Sequence, residues 1–120
     1  MVTYDEFKKV DIRIGTVTKA EVPEWSHWVM KLEVDLGEEI GKKKAFSGIM
    51  KFYKPEDLLD KQFPFVINLV PKTIGPEKEL SEVMMIMASP GDSLPESEAE
   101  KTAPVLFKLQ KKVPNGTKVR

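Results

Sequence analysis

The chain has no cysteine and a single histidine among its 120 residues. The first absence excludes disulfides, thiolate catalysis and cysteine-ligated metal. It agrees with a reducing compartment, and a cytoplasmic location is expected. His27 alone cannot assemble a common zinc site. No nucleophile can be placed beside it for a triad, so it reads as a solvated or locally bonded side chain. No stretch approaches the ~18 apolar residues that span a bilayer, so no membrane insertion is expected. The opening Met-Val-Thr-Tyr-Asp-Glu lacks the basic head and apolar core of a signal peptide. There is no Walker-type loop, glycine fingerprint or internal repeat. Without a nucleophile–base pair or a metal set, the chain is expected to be no enzyme and to need no cofactor.

Net charge is also lacking, with 19 Lys+Arg against 19 Asp+Glu. The two signs are separated along the chain, however. Residues 1–41 carry 5 cations and 9 anions, 42–78 carry 8 and 4, 79–104 carry 1 and 6, and 105–120 carry 5 and none. Gathering of positive charge in the middle and at the end is what a one-sided nucleic-acid footprint requires. Solvated surfaces produce the same pattern.

One hundred and twenty residues allow one domain. Its organising stretch runs from Met30 to Asn68. Met30, Leu32, Val34 and Leu36 alternate with Lys31, Glu33 and Asp35, the period-2 pattern of a half-buried strand. After a turn at Gly37–Gly41 and the run Lys42-Lys43-Lys44, a second strand is expected over Ala45–Met50. Pro55 at a first helical position starts a short helix after Lys54, which is no capping residue. Phe63–Leu69 reads as a buried strand. A first strand precedes all this, with Val10, Ile12 and Ile14 alternating until Gly15, where the apolar phase changes and a bulge or bend is expected. An apolar fifth strand is expected within Ser81–Ser89, after a loop over Ile74–Leu80. One helix between the third and fourth of five strands is the order of an OB-fold barrel. The fold class is therefore all-β with short helices: a helix over 1–9, a barrel over 10–89, and a C-terminal extension over 90–120.

At the N-terminus, Thr3 and Glu6 form a capping box, with Tyr4, Phe7 and Val10 on one helix face. So short a helix must lie on its own barrel or on a partner subunit. Ser89–Pro104 is polar, acidic and rich in proline and serine, a loop or mobile segment. Val105, Phe107 and Leu109 extend beyond a barrel that is already complete, which suggests subunit pairing and hence a homodimer.

Several residues are candidates for binding. Trp25 and Trp28 lie in the first-to-second strand loop, which borders the binding face of OB-folds. They are either stacking platforms for bases or packed residues. Lys42 and Lys44 share one side of a strand, and Lys43 takes the other. With Lys31, Lys51 and Lys72 they can supply a cationic track. Ser47 and Gly48 are small enough for a backbone to approach. Asn68 can read a base edge or form a turn. Met84, Met85 and Met87 suit either gap-filling in the core or a greasy cleft.

Taken in order, the segments Val10–Gly15, Lys31–Gly37, Ser47–Ile49, Tyr53–Leu58, Asn68–Pro71 and Pro114–Thr117 resemble the tRNA-binding domain family. That family includes stand-alone dimeric tRNA-binding proteins, the C-terminal extension of methionyl-tRNA synthetases, and the CsaA secretion-related chaperones. Ser81-Glu82-Val83, Glu39–Lys43 and the ending Val113–Thr117 look most like the CsaA branch. The resemblance implies an OB-fold homodimer built through additions at both ends. It implies RNA contacts at Ser81 and Met84 and at basic residues around the second and third strands. Trp28 and Val70 stand where many members carry lysine. The partners implied are tRNA, a second copy of the chain, and either an aminoacyl-tRNA synthetase or unfolded and preprotein peptides.

Overall fold

The computed structural model describes residues 1–120. In chain order the elements are α1 (Tyr4–Lys8), β1 (Ile12–Glu21), β2 (Met30–Asp35), β3 (Lys42–Ser47), α2 (Pro55–Leu58), β4 (Gln62–Val66), β5 (Lys72–Ile74), β6 (Glu79–Ser81), β7 (Met84–Met85), β8 (Met87–Ala88), α3 (Glu96–Ala99), β9 (Val105–Leu106) and β10 (Lys118–Val119). The main sheet runs β3-β2-β1-β4-β7, with every neighbouring pair antiparallel. The last strand region returns to β3. Glu82 and Val83 N–H both donate to the Lys44 carbonyl, at 2.8 and 3.3 Å. In return Lys44 N–H donates to the Glu82 carboxylate at 3.1 Å, and Phe46 N–H donates to Ser81 Oγ at 3.2 Å. Side chains thus take over part of the ladder and bring the five-stranded OB-fold barrel close to closure.

The core follows the alternation read in β2. Met30, Leu32 and Val34 are fully buried and meet Phe63, Phe65, Val17, Ile49 and Leu58 inside the barrel. Lys54 N–H donates to the Asp57 carboxylate at 2.8 Å, so α2 is capped from within although residue 54 is a lysine. The capping box of α1 forms in both directions at 3.1 Å.

Four expectations are corrected. The third strand begins at Lys42 and ends at Ser47, because Lys42, Lys43 and Lys44 stand opposite Asp35, Val34 and Glu33. Opposite-charge pairs favour that register. The chain then folds back at Ile49, whose carbonyl accepts from Phe52 and Tyr53 N–H. Second, β1 runs through Gly15 without a break against β4, and the register slips instead between Val17 and Lys19 against β2. Gly15 is needed for space: a Cβ there would lie 2.5 Å from Val34 Cγ1 and 2.8 Å from Leu36 Cδ2. Third, the expected loop over 74–80 is the tip of a hairpin, β5–β6. Fourth, the fifth strand is broken into β6, β7 and β8, which pair with β5, β4 and β9 respectively.

Beyond the barrel the chain folds back onto it. Leu106 packs on the core, and Tyr53 Oη donates to the Pro104 carbonyl at 2.5 Å. Val105–Leu106 therefore finds its strand partner within the same chain, where the sequence suggested a subunit. The turn Val113–Thr117 seals one end. Asn115 Oδ1 accepts from Thr16 Oγ1 at 2.7 Å and from Gln62 Nε2 at 3.0 Å. Gly116, at φ +90°, brings its backbone so near the Leu36 carbonyl that a Cβ would sit 2.6 Å from that oxygen. No residue of α1 is buried, and Tyr4, Phe7 and Val10 remain exposed.

Candidate nucleic-acid interface

A groove of about 370 Å³ opens between the loop after β1, the end of β3 and the β5–β7 region. Trp28, Phe46, Val70, Lys72, Ser81 and Met84 are among its lining residues, and most of the lining is apolar. Trp28 is 57% exposed and Met84 50%. Both therefore present surface to a ligand. The loop that holds Trp28 is tied down by Ser26, whose buried hydroxyl donates to the Val29 carbonyl and accepts from Val29 N–H, at 2.8 and 2.9 Å.

The two tryptophans have separate roles. Trp25 tilts against Phe46 with ring centres 6.3 Å apart. It also lies under Gly75, where a Cβ would meet the indole at 2.5 Å. Gly75 sits at φ +77°, so glycine satisfies both the hairpin tip and the ring beneath it. Trp25 thus fastens the β5–β6 hairpin to the barrel, and Trp28 is the free face.

The front lysines are brought together, and all but Lys72 stand beside a carboxylate. Lys31, Lys42 and Lys44 face outward on the β2–β3 ladder, and Lys72 stands opposite Ser81 in the adjoining hairpin. Lys31 Nζ reaches Glu79 at 2.5 Å and Glu21 at 3.9 Å. Lys44 reaches the same Glu79 oxygen at 3.8 Å. Lys42 faces Glu33 at 3.7 Å, and Lys43 faces Glu82 at 3.8 Å. The hydrogen bond to Glu79 holds the Lys31 ammonium above its ordinary pKa against desolvation, and the same bond holds the Glu79 carboxyl below its own. Glu33 is likewise held low, first by the Thr18 hydroxyl and then by Lys19 and Lys42. One Glu79 oxygen thus lies between the two lysines Lys31 and Lys44.

Three other expected site residues are placed differently from their reading. Ser47 is buried at 7% exposure and offers no surface. Asn68 is engaged at both ends: Oδ1 accepts from Asp11 N–H at 2.9 Å, and Nδ2 donates to the Lys9 carbonyl at 2.6 Å. It clips the start of β1, which leaves one N–H and one acceptor lone pair of the exposed amide unengaged. Ser81 lines the groove while its Oγ accepts from Phe46 N–H. Lys51 lies exposed in the turn after β3. Glu79 is the site residue that sequence reasoning misses. Its role depends on the β5–β6 hairpin, and the mixed charges over 74–80 read locally as a loop. No group of three or more His, Asp or Glu side chains is arranged to hold a metal.

The antiparallel strand order, with one helix between the third and fourth strands, places the barrel in the OB-fold class. The family comparison is narrower. Residues 12–118 match the model described as a putative tRNA binding domain, and the chain belongs to that family. It is 31% identical to the solved MetRS-related protein from Pyrococcus horikoshii, covering 100% of this chain and 98% of that one with a TM-score of 0.84. It is 35% identical to the chaperone CsaA of Bacillus anthracis, covering 100% and 99% with a TM-score of 0.77. Methionine–tRNA ligase of Halalkalibacterium halodurans is 40% identical over 93 residues, which are 78% of this chain and 14% of the ligase. The chain thus spans about a seventh of that relative's length. No helix is long and apolar enough to cross a membrane.

Proposed function

We propose that this chain is a non-catalytic RNA-binding module whose ligand is tRNA or a similarly folded RNA. The observation that carries the reading is the groove, with exposed Trp28 and Met84 beside Lys72 at the mouth of an OB barrel. An indole face takes an unstacked base, a lysine takes the phosphate next to it, and neither demands a particular sequence. Membership of a tRNA-binding domain family supports the same ligand class. The relatives add methionyl-tRNA synthetase as a partner of such a module, in one chain or by association. The cleft of Tyr4, Phe7, Val10 and Val119 supports pairing with a second copy, since these apolar groups lie open in the single chain.

Total tRNA titrated at rising salt tests this. Log affinity is expected to fall linearly with log salt. Trp28→Ala is expected to weaken binding by ~1–3 kcal/mol, about five- to one-hundred-and-fifty-fold, with the salt slope unchanged. Absence of binding even at low salt would overturn the RNA reading.

One observation favours a second reading. The groove is mainly apolar, and Lys31, Lys42 and Lys44 each sit beside a carboxylate. Such a surface suits an extended apolar peptide, as in a CsaA-like chaperone of unfolded or export-competent chains. An unfolded-protein ligand that binds more tightly as salt rises, while tRNA fails to bind, would establish it.

A further inference from the structure

We infer that the chain carries a second RNA contact, a seat for the phosphate backbone of a double-helical stem, in the hollow formed by Lys61, Lys108, Lys111 and Lys112. This rests on the RNA reading above and extends it toward the other end of β4. The hollow holds about 180 Å³ between the start of β4 and the segment before the sealing turn.

Its charge is compensated less than that of the β2–β3 ladder. Lys19, Lys31, Lys42, Lys43 and Lys44 each lie within 4.0 Å of a carboxylate, from Glu33, Glu79 or Glu82. Lys108, Lys111 and Lys112 are exposed, come from a stretch with no acidic residue, and form no ion pair within 4.0 Å, although Asp60 lines the same hollow. Lys61 donates to the Asp57 carbonyl at 2.8 Å, which holds its ammonium in position. The Asp57 carboxylate is turned to Lys54 N–H, so Asp60 is the one acid among the lining residues. Four cations against one anion leave this hollow with a net positive lining.

The patch is also fixed in place. Gln62, buried at the start of β4, grips Val113 from both sides: Nε2 donates to its carbonyl at 2.7 Å, and Val113 N–H donates to Oε1 at 3.0 Å. The backbone just after Lys111 and Lys112 is therefore anchored to the barrel at Val113.

The kind of ligand follows from what lines the hollow. Its one hydrophobic lining residue is Leu109, and no aromatic ring is present for a base to stack on. Lysines act as point charges on phosphate and read no sequence. A paired stem, with its bases inside and phosphates outside, fits such a seat; an unstacked strand fits the Trp28 groove. The groove includes Met84, which pairs with Val66 at the end of β4, and the hollow includes Gln62 at the start of β4, so the two lie toward opposite ends of that strand. A folded RNA with both an open and a paired region can engage the two together.

The test uses a triple variant, K108Q/K111Q/K112Q, on exposed positions outside the groove. Three probes are titrated against salt: total tRNA, a short RNA duplex, and a short oligouridine. For the triple variant the tRNA and duplex slopes are expected to fall by up to about 2.7, at ~0.9 for each phosphate that is no longer neutralised, with oligouridine binding unchanged. Unchanged slopes for tRNA and duplex, with wild-type tRNA binding intact, would overturn the second contact and leave the groove reading standing. Equal weakening of oligouridine binding would reduce the lysines to a general field and also overturn it. A polyglutamate peptide that binds the wild type but not the triple variant, where the duplex binds neither, would assign the hollow to an acidic protein instead. Failure of the wild type to bind any RNA probe would fall on the groove reading itself.

Discussion

Replacing Glu79 by glutamine should turn the front of the barrel from a neutralised ladder into a phosphate track. One carboxylate oxygen serves two ammonium groups, Lys31 and Lys44, at 2.5 and 3.8 Å. Glutamine keeps the size and an acceptor for Lys31 but removes the charge. Lys44 then has no carboxylate within 4.0 Å, and Lys31 retains Glu21 at 3.9 Å. One or two further lysines become available to RNA. Each phosphate neutralised steepens the slope of log affinity against log salt by about 0.7–0.9. For two lysines, a rise in salt from about 50 to about 200 mM should cost the variant roughly tenfold more affinity than the wild type, and for Lys44 alone roughly threefold. At the lower salt the variant should bind total tRNA more tightly. The assay is fluorescence anisotropy of labelled tRNA over a salt series. The loss of fold stability should be small, about 0–1 kcal/mol, because the three side chains are 22–39% exposed. Its pH dependence has a definite sign. The Glu79 carboxyl is held below its ordinary 4.5, so its contribution is present above that value and lost as pH falls through the depressed one. Wild type should lose this increment in acid, and the glutamine variant should not. An unchanged salt slope and affinity, in a variant that folds normally, would mean that Lys31 and Lys44 do not face the RNA.

Two further substitutions test the fold that positions the site. Gly15→Ala drives a methyl to within 2.5 Å of Val34 and 2.8 Å of Leu36, and should destabilise by ~1–3 kcal/mol in urea titration with an unaltered slope; a neutral result would mean that β2 can shift aside. Asn115→Ala removes the acceptor shared by Thr16 and Gln62 and should cost ~1–3 kcal/mol. Hydrogen exchange should then quicken at Lys118–Val119, whose place beside β1 depends on that turn; exchange unchanged there would show that β10 holds without it.

Local patterns in the sequence carried the barrel. The alternation from Met30 to Leu36 and the capping box at Thr3–Glu6 depend on neighbours a few residues away and formed as read, while the run read as a strand over Phe63–Leu69 forms one over Gln62–Val66 and leaves Leu69 exposed. Boundaries moved where a distant partner decided them. Lys42 joined β3 because Asp35 stands across from it, and Ser81–Ser89 broke into three pieces because β4, β5 and β9 claim different parts of it.

The lysines, tryptophans and methionines of the candidate face were visible in the sequence as types, but their availability was not. Whether Lys31 is free depends on Glu79, 48 residues on; whether Asn68 is free depends on Lys9 and Asp11, 59 and 57 residues back. Trp25 and Trp28 look alike in one loop, yet Gly75 covers the first while the second stays open. Composition and spacing determine which chemistry a chain can offer and which local element carries it. Charge compensation and exposure are sums over groups that meet only after folding, so the tertiary structure alone decided which of those residues remain open to a ligand.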